Sequence, residues 1–227
     1  MHTRAVIFDM DGVLVDSYEP HFEAWKRLAG RLGQSISEAQ FAAVFGRKNR
    51  DIIKTLWGDD VPEDEIEALG GWKEIQYREI LRENFPAMDG AAELLDALKA
   101  AGFALAVGSS GPPENVAVVL DGLGREGFFD ATVTGDEVRT GKPDPEVFLK
   151  AAEKLGVQPR CCAVVEDAVA GLEAARRAGM TPIAIVGTAP RETLAERAAL
   201  VVDSLRDLSP EAIGALINPK AARKNGA

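Results

Sequence analysis

Short apolar runs, each closed by a polar or glycine position, recur along this chain. The first, Arg4-Ala5-Val6-Ile7-Phe8, ends at Asp9 and predicts a buried strand. Comparable runs are Ala104-Leu105-Ala106-Val107, Ala163-Val164-Val165, Ile183-Ala184-Ile185-Val186 and Ala199-Leu200-Val201-Val202, with a weaker one at Ala131-Thr132-Val133-Thr134. Between them the apolar period changes. Leu94, Leu95 and Leu98, then Val116, Val119, Leu120 and Leu123, then Phe148, Ala152 and Leu155 fall at three- and four-residue steps, which places each set on one helix face. Gly102, Gly156 and Gly179 stand where such helices would end. Strand alternating with helix from residue 89 onward predicts an α/β domain, a Rossmann-like parallel sheet covered by helices.

From Asp16 to Pro86 this rhythm is absent. The helical stretches His21 to Leu32, Ser37 to Phe45, Asn49 to Leu56 and Glu63 to Glu83 follow one another with no strand between them. The first strand is thereby cut off from the rest of its sheet, and the economical arrangement is a helical module, residues 16–86, inserted into an α/β core made of 1–15 and 87–227. The last residues, 219–227, are expected to form a flexible end.

Composition narrows the picture. A chain of 227 residues suits one large domain carrying a smaller one, and 46% hydrophobic with 27% charged residues excludes a disordered or collagenous polypeptide. No run reaches the roughly 18 apolar residues of a membrane span. Asp9, Asp11 and Asp16 interrupt the apolar stretch that a signal peptide would need. Cys161 and Cys162 are sequence neighbours with no other cysteine to pair with, which fits a reducing, cytoplasmic location. The net charge of −10 and a pI near 4.8 argue against nucleic acid and anionic membranes as partners. A small anionic substrate stays compatible with that charge if the site supplies a cation of its own. The basic tail from Lys220 to Ala227 is read as a frayed end, and a monomer is expected.

In open α/β sheets ligands bind beyond the carboxyl ends of the strands. Asp9-Met10-Asp11-Gly12-Val13 follows the first strand, Ser109-Ser110-Gly111 the second, and Glu166-Asp167 the fourth, while Gly141-Lys142-Pro143-Asp144-Pro145 lies past the weak third. Taken singly each has a plainer role: Asp9 as a strand end, Asp11-Gly12 as a turn, the serines as turn residues or a helix cap, Lys142 as a surface lysine, Asp167 as the N-cap of a helix over Ala168 to Ala178. Together they describe one place. Three carboxylates at a sheet edge repel one another, a divalent cation relieves that repulsion, and oxygen ligands suit Mg²⁺. A lysine and a hydroxyl opposite complete a cradle for a phosphoryl group, for which Asp9 and Asp11 divide the work of nucleophile and acid.

Val6-Ile7-Phe8-Asp9-Met10-Asp11-Gly12-Val13-Leu14-Val15-Asp16-Ser17 resembles the first motif of the haloacid dehalogenase (HAD) superfamily, with Ser109, Lys142 in Gly-Lys-Pro-Asp-Pro, and Glu166-Asp167 matching its other three in order. The helical insertion resembles a subclass I cap. The resemblance implies Asp9 as the nucleophile and Asp11 as general acid/base. It implies phosphate binding by Ser109, Ser110 and Lys142, and Mg²⁺ held by Asp9, the main-chain oxygen of Asp11 and Asp167, with Glu166 acting through water. Around Asp16 to Lys26 the chain is similar to β-phosphoglucomutase and its sugar-phosphatase relatives, which implies substrate or cap roles for His21, Arg47, Asn49, Arg50 and Lys73. Lys73 has an equally simple role on a solvated helix face. Gly111-Pro112-Pro113 and Asn49 depart from the mutase pattern. The expected activity is therefore Mg²⁺-dependent hydrolysis of a small phosphorylated metabolite, a sugar phosphate. Interconversion of β-glucose 1-phosphate and glucose 6-phosphate is the alternative, and a catalytically silent binding protein a more distant one.

Overall fold

The computed structural model describes residues 3–217, so the tail anticipated over 219–227 lies outside the described residues. All six apolar runs are strands: β1 (Ala5–Phe8), β2 (Ala104–Gly108), β3 (Ala131–Val133), β4 (Cys162–Glu166), β5 (Thr181–Ile185) and β6 (Leu200–Val202). They form one parallel sheet in the order β3-β2-β1-β4-β5-β6. Every residue of β1, β2 and β4 is buried, as strands covered on both faces must be. The weak third run is shorter than expected. Thr134 leaves the strand to cap a 3₁₀ turn, Gly135–Glu137, and its own N–H donates to the Glu137 carboxylate at 3.1 Å.

The helices of this unit are α5 (Ala91–Ala100), α6 (Pro113–Gly122), α7 (Glu146–Leu155), α8 (Val169–Arg177), α9 (Arg191–Ala195) and α10 (Pro210–Ile217). Their apolar stripes face the sheet. In α7, Val147, Phe148, Ala151 and Ala152 join a core cluster with Ile7, Ala106, Val133 and Val164. Gly102, Gly156 and Gly179 follow three of these helices with φ of 80°, 64° and 72°, a conformation only glycine adopts freely. The helix after β4 departs from expectation. It starts at Val169, its N-cap is Ala168, and Asp167 does not cap it. No side chain caps it; the Glu166 carboxylate accepts the N–H of the N-cap residue itself, Ala168, at 2.7 Å.

The chain divides into two compact units, one built from the chain up to Val15 and from Ala87 onward, the other from Asp16–Pro86. The second holds the four remaining helices, α1 (Tyr18–Arg31), α2 (Glu38–Ala42), α3 (Asn49–Trp57) and α4 (Glu63–Glu83). It has its own core of Trp25, Leu28, Phe41, Ile52, Ile53 and Ile66. Tyr18, Phe22, Phe41 and Phe45 stack and tilt against one another there with centroids 4.9 to 5.3 Å apart, inside the range where aromatic pairs attract beyond simple burial. Ser37 caps α2 with a reciprocal bond to Gln40. Entry and exit of the inserted segment run side by side: Val15 bridges Ala87, and the Asp16 N–H donates to the Pro86 carbonyl at 2.9 Å. No helix among the described residues is long and apolar enough to cross a membrane.

Phe148 is fully buried and lies where a side chain on Gly108 would stand, 3.1 Å from that position. Phe148→Ala therefore removes the ring that joins α7 to the centre of the sheet, and it should destabilise the fold by about 3–5 kcal/mol. Urea denaturation followed by circular dichroism measures this, and a loss below about 1 kcal/mol would contradict the packing described.

Candidate active site

The sheet order reverses direction between β1 and β4, the place where open α/β sheets form a crevice at the strand ends. The register sets what fills it. Phe8 is level with Val107 on β2 and Val165 on β4, so Asp9, Gly108 and Glu166 stand abreast at the carboxyl edge. The Asp9 N–H continues the ladder by donating to the Val165 carbonyl at 2.9 Å. Asp9, Glu166 and Asp167 are all buried, and one oxygen from each lies within 4.8 Å of the others.

Among the described residues, one cation reaches into this group. The Lys142 ammonium donates to Asp9 Oδ1 at 2.5 Å and Glu166 Oε1 at 2.7 Å, and lies 4.9 Å from the Phe148 ring centroid. Glu166, only 1% exposed, thus has one oxygen on Lys142 and the other on the Ala168 N–H. Asp167 differs. Its main-chain carbonyl accepts from Thr188 Oγ1 at 2.9 Å, while its buried Oδ2 has no hydrogen-bond partner among the described residues. A Cβ built on Gly12, whose φ is 74°, would lie 2.3 Å from that oxygen. The loop of Asp11-Gly12 therefore closes over Asp167 with only a hydrogen atom in the way. A buried, unpartnered carboxylate oxygen beside two further carboxylates is an all-oxygen, negatively charged donor set, and it fits a hard divalent cation such as Mg²⁺.

The charges report the same imbalance. Burial, then the Glu166 and Asp11 charges, push the Asp9 carboxyl up to about 7 against the pull of Lys142. Burial, with Glu166 and Asp9 beside it, raises Asp167 well above the ordinary aspartate value. For Lys142 burial works against the charge, and Asp9 and Glu166 override it, so the ammonium is held above the usual lysine value.

Ser109 follows β2 and is 1% exposed; its N–H pairs with the Val133 carbonyl at 3.0 Å. Its hydroxyl accepts the Gly111 N–H at 3.0 Å, which shapes the turn, and Ser110 is exposed. Neither serine caps α6, whose N-cap is Pro112. Asp11 stands two residues past the end of β1 and bridges Val15.

In the helical unit Lys73 is 2% exposed, so the solvated-face role fails. Ile66, Gly70, Lys73, Tyr77 and Leu81 are the buried positions of α4, at helical spacing, and Lys73 sits on that stripe. Its ammonium donates to His21 Nδ1 at 2.7 Å and to Glu74 Oε1 at 3.0 Å, and Asn49 Nδ2 donates to the same Glu74 oxygen at 2.7 Å. An ammonium has no acceptor, so His21 Nδ1 must accept, and the ring proton of the neutral imidazole is on Nε2. Tyr77 stacks on the same imidazole with centroids 3.9 Å apart and planes 7° from parallel. Arg50 is claimed elsewhere: Glu63 accepts both arms of its guanidinium at 2.6 and 2.9 Å. Arg47 donates to Thr55 Oγ1 at 3.3 Å. The basic loop therefore splits, with Asn49 joining the Lys73 network and Arg50 pairing with the start of α4.

Tyr77, Phe148 and Thr188 also belong to these networks, with no sign of a site role in the sequence. Tyr77 and Phe148 lie on apolar helical stripes, where a site role is invisible by pattern. Thr188 acts through a main-chain contact to a residue 21 positions earlier, for which no local signal exists.

A family model for haloacid dehalogenase-like hydrolases matches residues 3–179. A phosphorylated carbohydrates phosphatase of Thermotoga maritima is 36% identical over 184 residues, covering 79% of this chain and 83% of that protein. Among solved structures, a family IA, variant 3 HAD hydrolase of Entamoeba histolytica superposes with a TM-score of 0.87 at 30% identity, covering 95% of this chain and 99% of the other. A β-phosphoglucomutase of Clostridium difficile gives 0.83 at 29% identity, covering 97% and 100%. The family match takes in Asp9, Lys142 and the Glu166-Asp167 pair at the switch point of the sheet, and the chain belongs to the haloacid dehalogenase-like hydrolases.

Proposed function

We propose that this protein is a Mg²⁺-dependent phosphatase of small phosphorylated metabolites, with sugar phosphates as its substrate class, working through an aspartyl phosphate on Asp9. The observation that carries the reading is the meeting of Asp9, Glu166 and Asp167 with one buried lysine at the switch point of the sheet. Similarity to the phosphorylated carbohydrates phosphatase supports the sugar class.

Asp9, Asp167 and the main-chain oxygen of Asp11 would hold the ion, and Glu166 stands behind Lys142. When bound, Mg²⁺ supplies the positive charge that the three acids lack and that an anionic phosphoryl group requires. The remaining steps belong to side chains. An Asp9 oxygen attacks phosphorus as the bond to the leaving oxygen breaks, and the Asp11 carboxyl gives that oxygen its proton. In the second half Asp11 takes a proton from water, the water oxygen attacks phosphorus, and the bond to Asp9 breaks. Inorganic phosphate leaves and Asp9 is a carboxylate again. The Lys142 ammonium and the Ser109 hydroxyl bind the phosphoryl oxygens throughout, with Ser110 at the rim. Residues 16–86 act as the cap. There Lys73, Glu74 and Asn49 set the tautomer of His21 for work at the substrate, and Arg47 contributes charge at the cap loop, while Arg50 is paired with Glu63. Gly111-Pro112-Pro113 and Asn49, which depart from the mutase pattern, favour water over a second sugar hydroxyl as the acceptor.

³¹P NMR of the protein with Mg²⁺, β-glucose 1-phosphate and a trace of the 1,6-bisphosphate tests the reading. Free phosphate should accumulate; glucose 6-phosphate without free phosphate would replace hydrolysis by the mutase reaction. Asp9→Asn should lower kcat by about three orders of magnitude or more with an unchanged circular dichroism spectrum. A wild type silent across a broad phosphoester panel would instead identify a binding protein.

The raised Asp9 carboxyl gives a second expectation. Its folded-state value, about 7, lies above the ordinary 3.8, so its contribution to the stability of the metal-free fold is present below that ordinary value and lost as pH rises through about 7. Mg²⁺ binds the deprotonated acids, so its stabilising effect grows over the same window. Addition of Mg²⁺ should raise Tm more at pH 8 than at pH 5 in differential scanning fluorimetry. Equal gains at the two values would refute this assignment of the cluster.

A further inference from the structure

Gly171 occupies the first turn of α8, where its backbone is helical and its N–H donates to the Ala168 carbonyl at 3.1 Å. Nothing in that conformation asks for glycine, and inside a helix glycine is a poor choice. Space supplies the reason. A Cβ built at Gly171 would lie 1.7 Å from Glu166 Oε1, 2.0 Å from its Cδ and 2.7 Å from its Cγ. The Glu166 side chain is folded back onto the helix start, and the volume of a methyl group on Gly171 is the volume its carboxylate fills.

That carboxylate links two elements. One oxygen accepts the Ala168 N–H at 2.7 Å and the other accepts the Lys142 ammonium at 2.7 Å, while the same ammonium reaches Asp9 Oδ1 at 2.5 Å. We infer that Gly171 is a positioning residue of the active site: the missing side chain lets Glu166 stand where it holds Lys142 against Asp9. This rests on the phosphatase reading above only for its activity measurement.

The kind of overlap decides what a substitution does. At Gly135 a Cβ would meet the main-chain oxygen of Ser110 at 2.3 Å, so only the fold could give way. At Gly171 the obstacle is a side chain, and a methyl group is accommodated when Glu166 swings out. The fold survives and the Lys142 contact is lost. Shortening Glu166 by one methylene leaves its carboxyl carbon at the Cγ position, 2.7 Å from the built Cβ, so once Gly171→Ala has displaced the carboxylate the shortening should cost little more.

The experiment compares wild type, Gly171→Ala, Glu166→Asp and the double variant, using Mg²⁺ and p-nitrophenyl phosphate, with Tm recorded for each. Gly171→Ala should lose about 10²-fold in kcat/KM, the scale of a displacement of about 1 Å at a reacting group, with Tm unchanged or raised. The double variant should stay within about threefold of Gly171→Ala, the non-additivity of two changes that break one contact. Gly171→Ala within twofold of wild type, or a double variant whose loss is the product of the two single losses, overturns the proposal. A crystal structure of Gly171→Ala decides it independently of turnover. Glu166 turned away from Lys142 supports the proposal, and a retained contact at the wild-type distance overturns it. If the wild type hydrolyses no phosphoester, the phosphatase reading fails and the crystal structure still judges the role of Gly171.

Discussion

Three buried carboxylic acids share one buried ammonium, and most of what surrounds them follows from that shortage. Asp9, Glu166 and Asp167 cannot all be charged in so small a volume unless something offsets them, and among the described residues Lys142 offsets part. The two oxygens of Glu166 are held by Lys142 and a main-chain N–H, so its charge is the best accommodated of the three. Asp167 is the worst accommodated, with one oxygen lacking any partner among the described residues. A buried acid left in that condition is costly in a purely structural protein and serves a purpose where a cation is to be received.

The sheet converts sequence positions far apart into this one location. β1 lies between β2 and β4, so a residue just past β1 necessarily meets residues past both neighbours. Lys142 comes in from the segment before α7, and Phe148 of that helix lies beneath its ammonium. The packing that stabilises the domain and the placement of Lys142 therefore use the same ring.

Much of this was legible in the chain itself. The six strands stand out because each is a short apolar run, and their carboxyl ends could be read off for chemistry. What could not be read was the partner of each group. Asp167 follows the N-cap pattern, yet it makes no capping contact: it is turned toward Gly12, and the longer Glu166 folds back onto the Ala168 N–H. Lys73 looked ambiguous as a charged residue on a charged helix. The stripe Ile66, Gly70, Tyr77 and Leu81 places it on the buried face, and a lysine survives there because His21, Glu74 and two aromatic rings receive its ammonium. Gly171 gave no signal at all. Its importance lies in an empty volume, and a volume belongs to the fold, not to a residue type.

The insertion after Val15 has a consequence for how the chain is made. β1 is a central strand whose two partners begin at Ala104 and Cys162, so it leaves the ribosome long before either exists. The helices of Asp16–Pro86 form a compact unit from contacts close in sequence and can collapse while the sheet is still incomplete. Throughout that interval Ala5-Val6-Ile7-Phe8 is an unpaired apolar strand waiting for its neighbours. The residue that closes this strand, Asp9, is also the nucleophile proposed for the reaction, so the site cannot assemble until both β2 and β4 have been made.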